Sequence, residues 1–269
     1  MESSTSEFLV IVEAPADYKT ATQIAERTIS EYGPEWLKEI LETRSCSLYV
    51  WKGLESNTDF SCWRSIYGID ERFAQAGDGY LPLYTPGHGR NSPGYDYPIG
   101  LKILWLVKYL NGKKKRNINA ILLIRDADSR SHAQERLKSL DALREPFRLQ
   151  KIQAIIGFAI PEREAWVLNG FEAQNPGEKQ RLKQIKDEIK FDPCQEAHRL
   201  RGKRNQPGTE ARDIKSILET LTGGDPLREE ACWLETPLAT LQEHGQETGL
   251  ADYIQEVHNH LLPVLTGSH

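Results

Sequence analysis

The tightest constraint in this sequence is the run Ile121-Leu-Leu-Ile124, which breaks at once into Arg125-Asp126-Ala127-Asp128 and then a segment of helical spacing. Four adjacent apolar residues leave no solvated face, so the run predicts a strand buried on both sides, as in a parallel sheet covered by helices. Such sheets bind ligands at the carboxyl ends of their strands, which is where Asp126 and Asp128 stand. Two carboxylates one residue apart repel each other unless a cation or hydrogen-bond donors compensate them. Two readings follow: a divalent-metal site, or Asp126 capping the next helix with Asp128 in solvent.

The same plan occurs twice more. Phe8-Leu-Val-Ile-Val12 runs into Glu13-Ala-Pro-Ala-Asp17, after which Ala21, Ile24, Ala25 and Ile29 fall on one helical face and Pro15 suits the helix entry. Glu13 therefore belongs at the mouth of the sheet, as a ligand or as a partner of the helix dipole. Ala154-Ile-Ile-Gly-Phe-Ala-Ile160 leads into Pro161-Glu162-Arg163-Glu164. One of Glu162 and Glu164 faces the site while the other pairs with Arg163 or opens the helix, and the sequence does not say which. Helix caps do not require an acid at every strand tip, whereas a metal cluster does require acidic ligands from separate loops.

Between Ser45 and Gly100, Trp51, Trp63, Tyr67, Tyr80 and other rings interleave with Gly, Pro and Asp. Apart from a short strand at Leu48–Trp51, this texture predicts an insertion, about 45–100, lying outside the sheet. Its four basic residues against six acidic ones suit a local core or a protein-facing surface better than a grip on phosphates. Leu101–Leu110 predicts a buried helix ended by Asn111-Gly112. Lys113, Lys114, Lys115 and Arg116 then form either a solvated turn or one wall of a nucleic-acid track. From Gly177 the chain is helical and charged, over Lys179–Lys190, Arg212–Leu221, Pro226–Leu234 and Leu250–Leu262. This gives a helical C-terminal region, 171–269, packed on an α/β domain, 1–170. Within it, the basic loop Arg199-Leu-Arg-Gly-Lys-Arg204 either binds nothing or offers Arg201, Lys203 and Arg204 to nucleic acid, with Lys203 or Arg204 as a charge clamp on a scissile phosphate.

Composition excludes some classes. The net charge of −5 gives no global polyanion signature, so nucleic acid has to meet a local patch. Cys46, Cys62, Cys194 and Cys232 lack zinc-knuckle spacing and read as reduced thiols of a cytoplasmic protein. The opening residues lack a signal-peptide pattern, and no apolar run is long enough to span a membrane.

An acid after the first strand and Asp-x-Asp after a later one resembles the Toprim domain, the metal-binding module of topoisomerases, bacterial primases, recombination factors and the overcoming-lysogenization-defect nucleases. The matching segments are Val12-Glu13-Ala-Pro-Ala-Asp17 and Arg125-Asp126-Ala-Asp128. Glu13 with Asp17 is similar to the Glu-x-x-x-Asp spacing of the overcoming-lysogenization-defect type. Ile160-Pro-Glu-Arg-Glu-Ala-Trp-Val-Leu168 is similar to a segment of small stand-alone Toprim-like proteins associated with phage defence beside a partner ATPase. The resemblance covers roughly Phe8 to Gly170, apart from the insertion, and Ala14 stands where the family usually has glycine. It implies a Toprim-like (Rossmann-like) parallel sheet flanked by helices and a Mg2+- or Mn2+-dependent nuclease acting on DNA or RNA. Glu13, Asp126 and Asp128 would hold one metal, Asp17 and Glu162 or Glu164 a second metal or a proton, and Lys203 the developing charge. The rival expectation is a non-catalytic regulatory or scaffold subunit that binds the partner ATPase, and a homo-oligomer suits either. Metal-dependent glycosyl transfer is less favoured, since the first strand tip carries an acid where a nucleotide-binding loop is expected.

Overall fold

The computed structural model describes residues 5–43, 48–83, 93–94, 96–127, 130–203, 206 and 208–267. One sheet contains β1 (Ser6–Val12), β2 (Tyr49–Lys52), β3 (Ser61–Cys62), β4 (Ile118–Asp126) and β5 (Gln153–Ala159). All pairings are parallel: β4 lies between β1 and β5, while β2 pairs with Ser6–Leu9 and β3 with Ile11 and Val12. Because β4 occupies one edge of β1 at Ile11, β3 must lie on the other edge with β2, so the two short strands form a single interrupted edge.

Alternation along each strand divides the core in two, since successive side chains leave opposite faces of a sheet. Phe8, Val10, Val12, Ala120, Leu122, Ile124 and Ile155 face one cluster; Leu9, Ile11, Ile121, Leu123, Ala154 and Ile156 face the other. The first face carries α1 (Pro15–Tyr32), α2 (Glu35–Thr43) and α7 (Arg163–Asn169). The chain from α8 onward joins them: α8 (Pro176–Ile189), α9 (Ile214–Thr222), α10 (Pro226–Leu234), α11 (Leu238–His244), α12 (Leu250–Glu256), a π-helical turn Val257–Leu261 and α13 (Leu262–Thr266). The second face carries α3 (Ile66–Gln75), α4 (Asp96–Lys113), α5 (Arg130–Asp141) and α6 (Arg144–Leu149).

Several sequence expectations change here. The opening part of the 45–100 segment is not outside the sheet: β2 and β3 are its edge, because Tyr49 and Trp51 bury against Phe8, with ring centroids 4.7 and 5.6 Å away. The segment also contains α3, and Trp63 and Tyr80 are buried in the second core. Tyr84, Arg90 and Tyr95 lie outside the described residues. α4 starts at Asp96 and runs through Asn111-Gly112 to Lys113. In α5, where the spacing of Ala133, Leu137 and Leu140 predicts one apolar face, Leu140 is buried and Leu137 is 38% exposed.

The Leu250–Leu262 segment keeps an exposed face at Asp252, Gln255 and Asn259 and buries its other face in the core. Tyr253, Ile254, Val257 and Leu261 are fully buried, and the Tyr253 ring stacks on Trp166 at 5.1 Å. A Cβ on Gly157 would lie 2.6 Å from Ile124 Cδ1 and 3.0 Å from Tyr253, so this strand position has room only for hydrogen. The Trp166 indole N–H donates to the Thr248 carbonyl at 2.8 Å, and the Tyr253 hydroxyl to the Ala21 carbonyl at 2.9 Å. Sheet and C-terminal helices thus share one core. Trp166→Ala is expected to destabilise the chain by about 3–5 kcal/mol in urea, with one transition for the whole molecule. Separate melting of the sheet and the C-terminal helices would contradict the shared core.

Candidate functional site

β1, β4 and β5 are parallel neighbours, so their tips lie side by side, roughly 5 Å from strand to strand. The register pairs Ile11 with Leu123 and Asp126 with Ala159, which brings Glu13 level with Arg125 and sets Asp126 one residue further out. At the end of β5, Glu162 is the N-cap residue of α7. The Asp126 Oδ1 accepts the Arg163 backbone N–H at 3.1 Å, at the start of α7, while the turn where it would cap its own following helix lies outside the described residues.

The charges gather on Asp126. Burial, then the negative charges of Asp17, Glu13, Glu164 and Glu162, push its carboxyl up to about 9. Asp17 is buried, with its Oδ2 accepting the Ala14 backbone N–H at 2.8 Å. Burial raises its pKa, and the Ala14 N–H and Arg163 oppose the shift. Burial also raises Glu162, with Lys215 opposing.

Cations from several elements answer these acids. Arg125 bridges Glu13 and Asp96, its Nη2 3.0 Å from Asp96 Oδ1, and its guanidinium lies 5.3 Å from the centroid of the Trp63 ring. Arg136 of α5 approaches Glu13 at 3.5 Å and donates to the Asp126 carbonyl at 2.8 Å. Arg163 reaches Glu164 at 3.2 Å, Asp17 at 3.8 Å and Glu229 at 3.8 Å. Lys215 of α9 pairs with Glu162 at 2.8 Å. Partial burial lowers the Lys215 pKa, but the hydrogen bond to Glu162 and the charges of Glu164, Glu162 and Asp126 outweigh it and hold the ammonium charged.

The structure therefore brings Glu13, Asp17, Asp126, Glu162 and Glu164 together, as the strand tips implied, without forming a ready ligand cage. Among the described residues no group of three or more His, Cys, Asp or Glu side chains is placed to hold one metal ion. Glu13 turns to its arginines and Asp17 to the α1 N-terminus. Asp128 lies outside the described residues.

The basic residues sort differently. Lys113, Lys114, Lys115 and Arg116 precede β4, so strand polarity puts them at the other end of the sheet, roughly 26 Å of strand from Asp126. Arg116 is also engaged, with Glu7 at 2.6 Å and the Gly53 and Leu54 carbonyls. These four do not wall the acid mouth. Lys203 is exposed, its backbone N–H donating to Thr209 Oγ1 at 3.2 Å, and the lysine that meets the acids is Lys215. Arg201 lines a separate cavity with Arg199 and Arg212, and Arg204 lies outside the described residues. Lys215 has no sequence signal of its own: it is one lysine in a charged helix, and only the packing of α9 against α7 carries it to Glu162.

Cys194 and Cys232 are buried thiols and Cys62 is a partly exposed one, with no disulfide among the described residues. Burial pushes Cys232 up to about 12. No helix of the described residues is long and apolar enough to cross a membrane.

Fold and site together define an α/β protein with a five-stranded parallel, Rossmann-like sheet and an acid cluster at the carboxyl ends of its strands. No family model matches the chain, and neither a curated protein nor a solved structure is similar enough to count as a match.

The Asp126 shift has a sign that can be tested. The folded protein keeps this carboxyl protonated below about 9, whereas the unfolded chain ionises it above about 4. Across that window the unfolded state binds fewer protons, so stability falls as pH rises. Asp126→Asn cannot ionise and is expected to gain on the wild type by at least about 1 kcal/mol between pH 5 and pH 8 in metal-free urea titrations. Identical pH profiles for the two proteins would show that Asp126 is not held neutral.

Proposed function

We propose that the acid mouth binds magnesium or manganese and hydrolyses phosphodiester bonds in DNA or RNA. The observation that carries this reading is Asp126, a carboxyl at the tip of a central strand under the charges of Glu13, Asp17, Glu162 and Glu164. Such a group ionises near neutral pH only against strong positive charge, and a set of hard carboxylate oxygens suits a small divalent cation. Asp126, Glu13, Asp17 and one of Glu162 and Glu164 would hold it, with Asp128 the remaining acid of the motif. When bound, the metal neutralises charge on the phosphate and makes water a better nucleophile.

The chain supplies the rest. The Arg163 backbone N–H orients the Asp126 carboxylate. Glu13 is freed from Arg125 by rotation, and Arg125 then keeps Asp96 as its partner. Lys215, charged and aimed at the acids, stabilises negative charge developing on the phosphate, the role that the sequence suggested for Lys203. A carboxylate not bound to metal, Glu162 or Glu164, accepts the proton of the attacking water.

One observation favours a second reading. Arginines already engage Glu13, Asp17 and Glu164, as in a static network of a scaffold or regulatory subunit for a partner ATPase. Metal and activity separate the two. Purified protein with manganese is expected to cleave DNA or RNA, with Asp126→Ala slower by at least about 10³-fold and Lys215→Ala by about 10²-fold. Manganese is also expected to raise the melting temperature of the wild type but not of Glu13→Ala. A wild type neither stabilised by manganese nor active on any nucleic acid would leave the scaffold reading standing.

A further inference from the structure

At the end of the sheet opposite the acids, the chain after Gly79 and the last turns of α4 line an open cavity of about 560 Å³. Its apolar wall includes Leu81, Trp105 and Tyr109. Leu81 is 76% exposed, and the Trp105 indole N–H donates to its carbonyl at 2.6 Å, which holds this leucine beside the ring.

The rim carries Lys108, Lys113 and Lys115. Neighbouring cations are engaged: Lys114 with Asp78, Arg116 with Glu7 and Lys102 with Asp70. The three rim lysines make no ion pair within 4 Å among the described residues, and the Lys108 ammonium lies over the Trp105 ring, 5.2 Å from its centroid. Lys115 has φ 58, and the Arg116 N–H closes α4 back onto the Leu110 carbonyl at 3.2 Å. A glycine would close the helix there without strain; this chain accepts the strain and places an ammonium group on the rim.

We propose that this cavity binds a nucleoside phosphate, the base against Trp105 and Leu81 and the phosphates on the three lysines. The volume is within the range of small-molecule pockets. Its apolar wall and single cationic rim match a ligand with one flat apolar end and one multiply charged end. A nucleic-acid strand would need the basic track to continue, and it stops at Lys114–Asp78 and Arg116–Glu7. The site stands apart from the acid mouth and does not depend on its chemistry.

Calorimetric titration of the full chain in EDTA tests this, with ATP, GTP, CTP and UTP, with adenosine, with inorganic triphosphate and with a short single-stranded oligonucleotide. At least one nucleotide is expected to bind one to one in the micromolar range, with adenosine and triphosphate weaker by about tenfold or more. Lys113→Ala with Lys115→Ala is expected to weaken binding at least about tenfold with an unchanged melting temperature. Asp126→Ala is expected to leave it unchanged. The proposal fails if none of the four nucleotides binds at about 1 mM, or if the double variant binds like the wild type. It fails equally if Asp126→Ala abolishes binding, which would move the ligand to the acids, or if the oligonucleotide binds more tightly than every nucleotide.

Discussion

Like-charge repulsion at the carboxyl ends of β1, β4 and β5 is the constraint that organises this molecule. A parallel sheet delivers its strand tips side by side, and here the tips bring Glu13, Asp126 and, just past β5, Glu162 and Glu164. The compensating cations do not come from those tips alone. Arg136 arrives from α5 on one face of the sheet, Arg163 from α7 and Lys215 from α9 on the other, while Arg125 spans Glu13 and Asp96. Removing one partner from such a cluster leaves uncompensated charge at a half-buried site, which costs far more than the pair contributes. The cluster is therefore a weak source of net stability and a strong restraint on how both helical layers seat against the sheet.

Asp126 is where this restraint concentrates. Most of its neighbours are acidic, and a backbone N–H at the start of α7 donates to it. A carboxyl held neutral this way is poised to ionise against a cation, because a cation relieves repulsion among several acids at once. That logic connects the fold to the hydrolytic reading without appeal to any relative.

The polarity of the sheet also separates two chemistries. Acids collect where the strands end and lysines collect where α4 turns back into β4, with the full length of that strand between them. A linear reading of Lys113–Arg116 next to the strand that bears Asp126 brings the two together; the extended strand keeps them apart. The same geometry leaves an apolar cavity under the lysine end rather than a continuous basic track.

The apolar runs by themselves determined the buried parallel strands, and the residues that follow each run determined that carboxylates stand at the sheet mouth. Both are local: a strand buried on two faces has to be apolar throughout, and the residue after its last apolar position emerges at its end. A short strand at Leu48–Trp51 was legible, and the structure sets it at Tyr49–Lys52, but its place at the sheet edge was not, since edge pairing depends on which strand lies beside it. What only tertiary structure decided was the partner of each acid. Lys215 meets Glu162, Arg163 bridges Asp17 and Glu164, and Lys203 stays in solvent, because distances across helical layers follow from core packing, and a lysine in one charged helix looks like a lysine in any other.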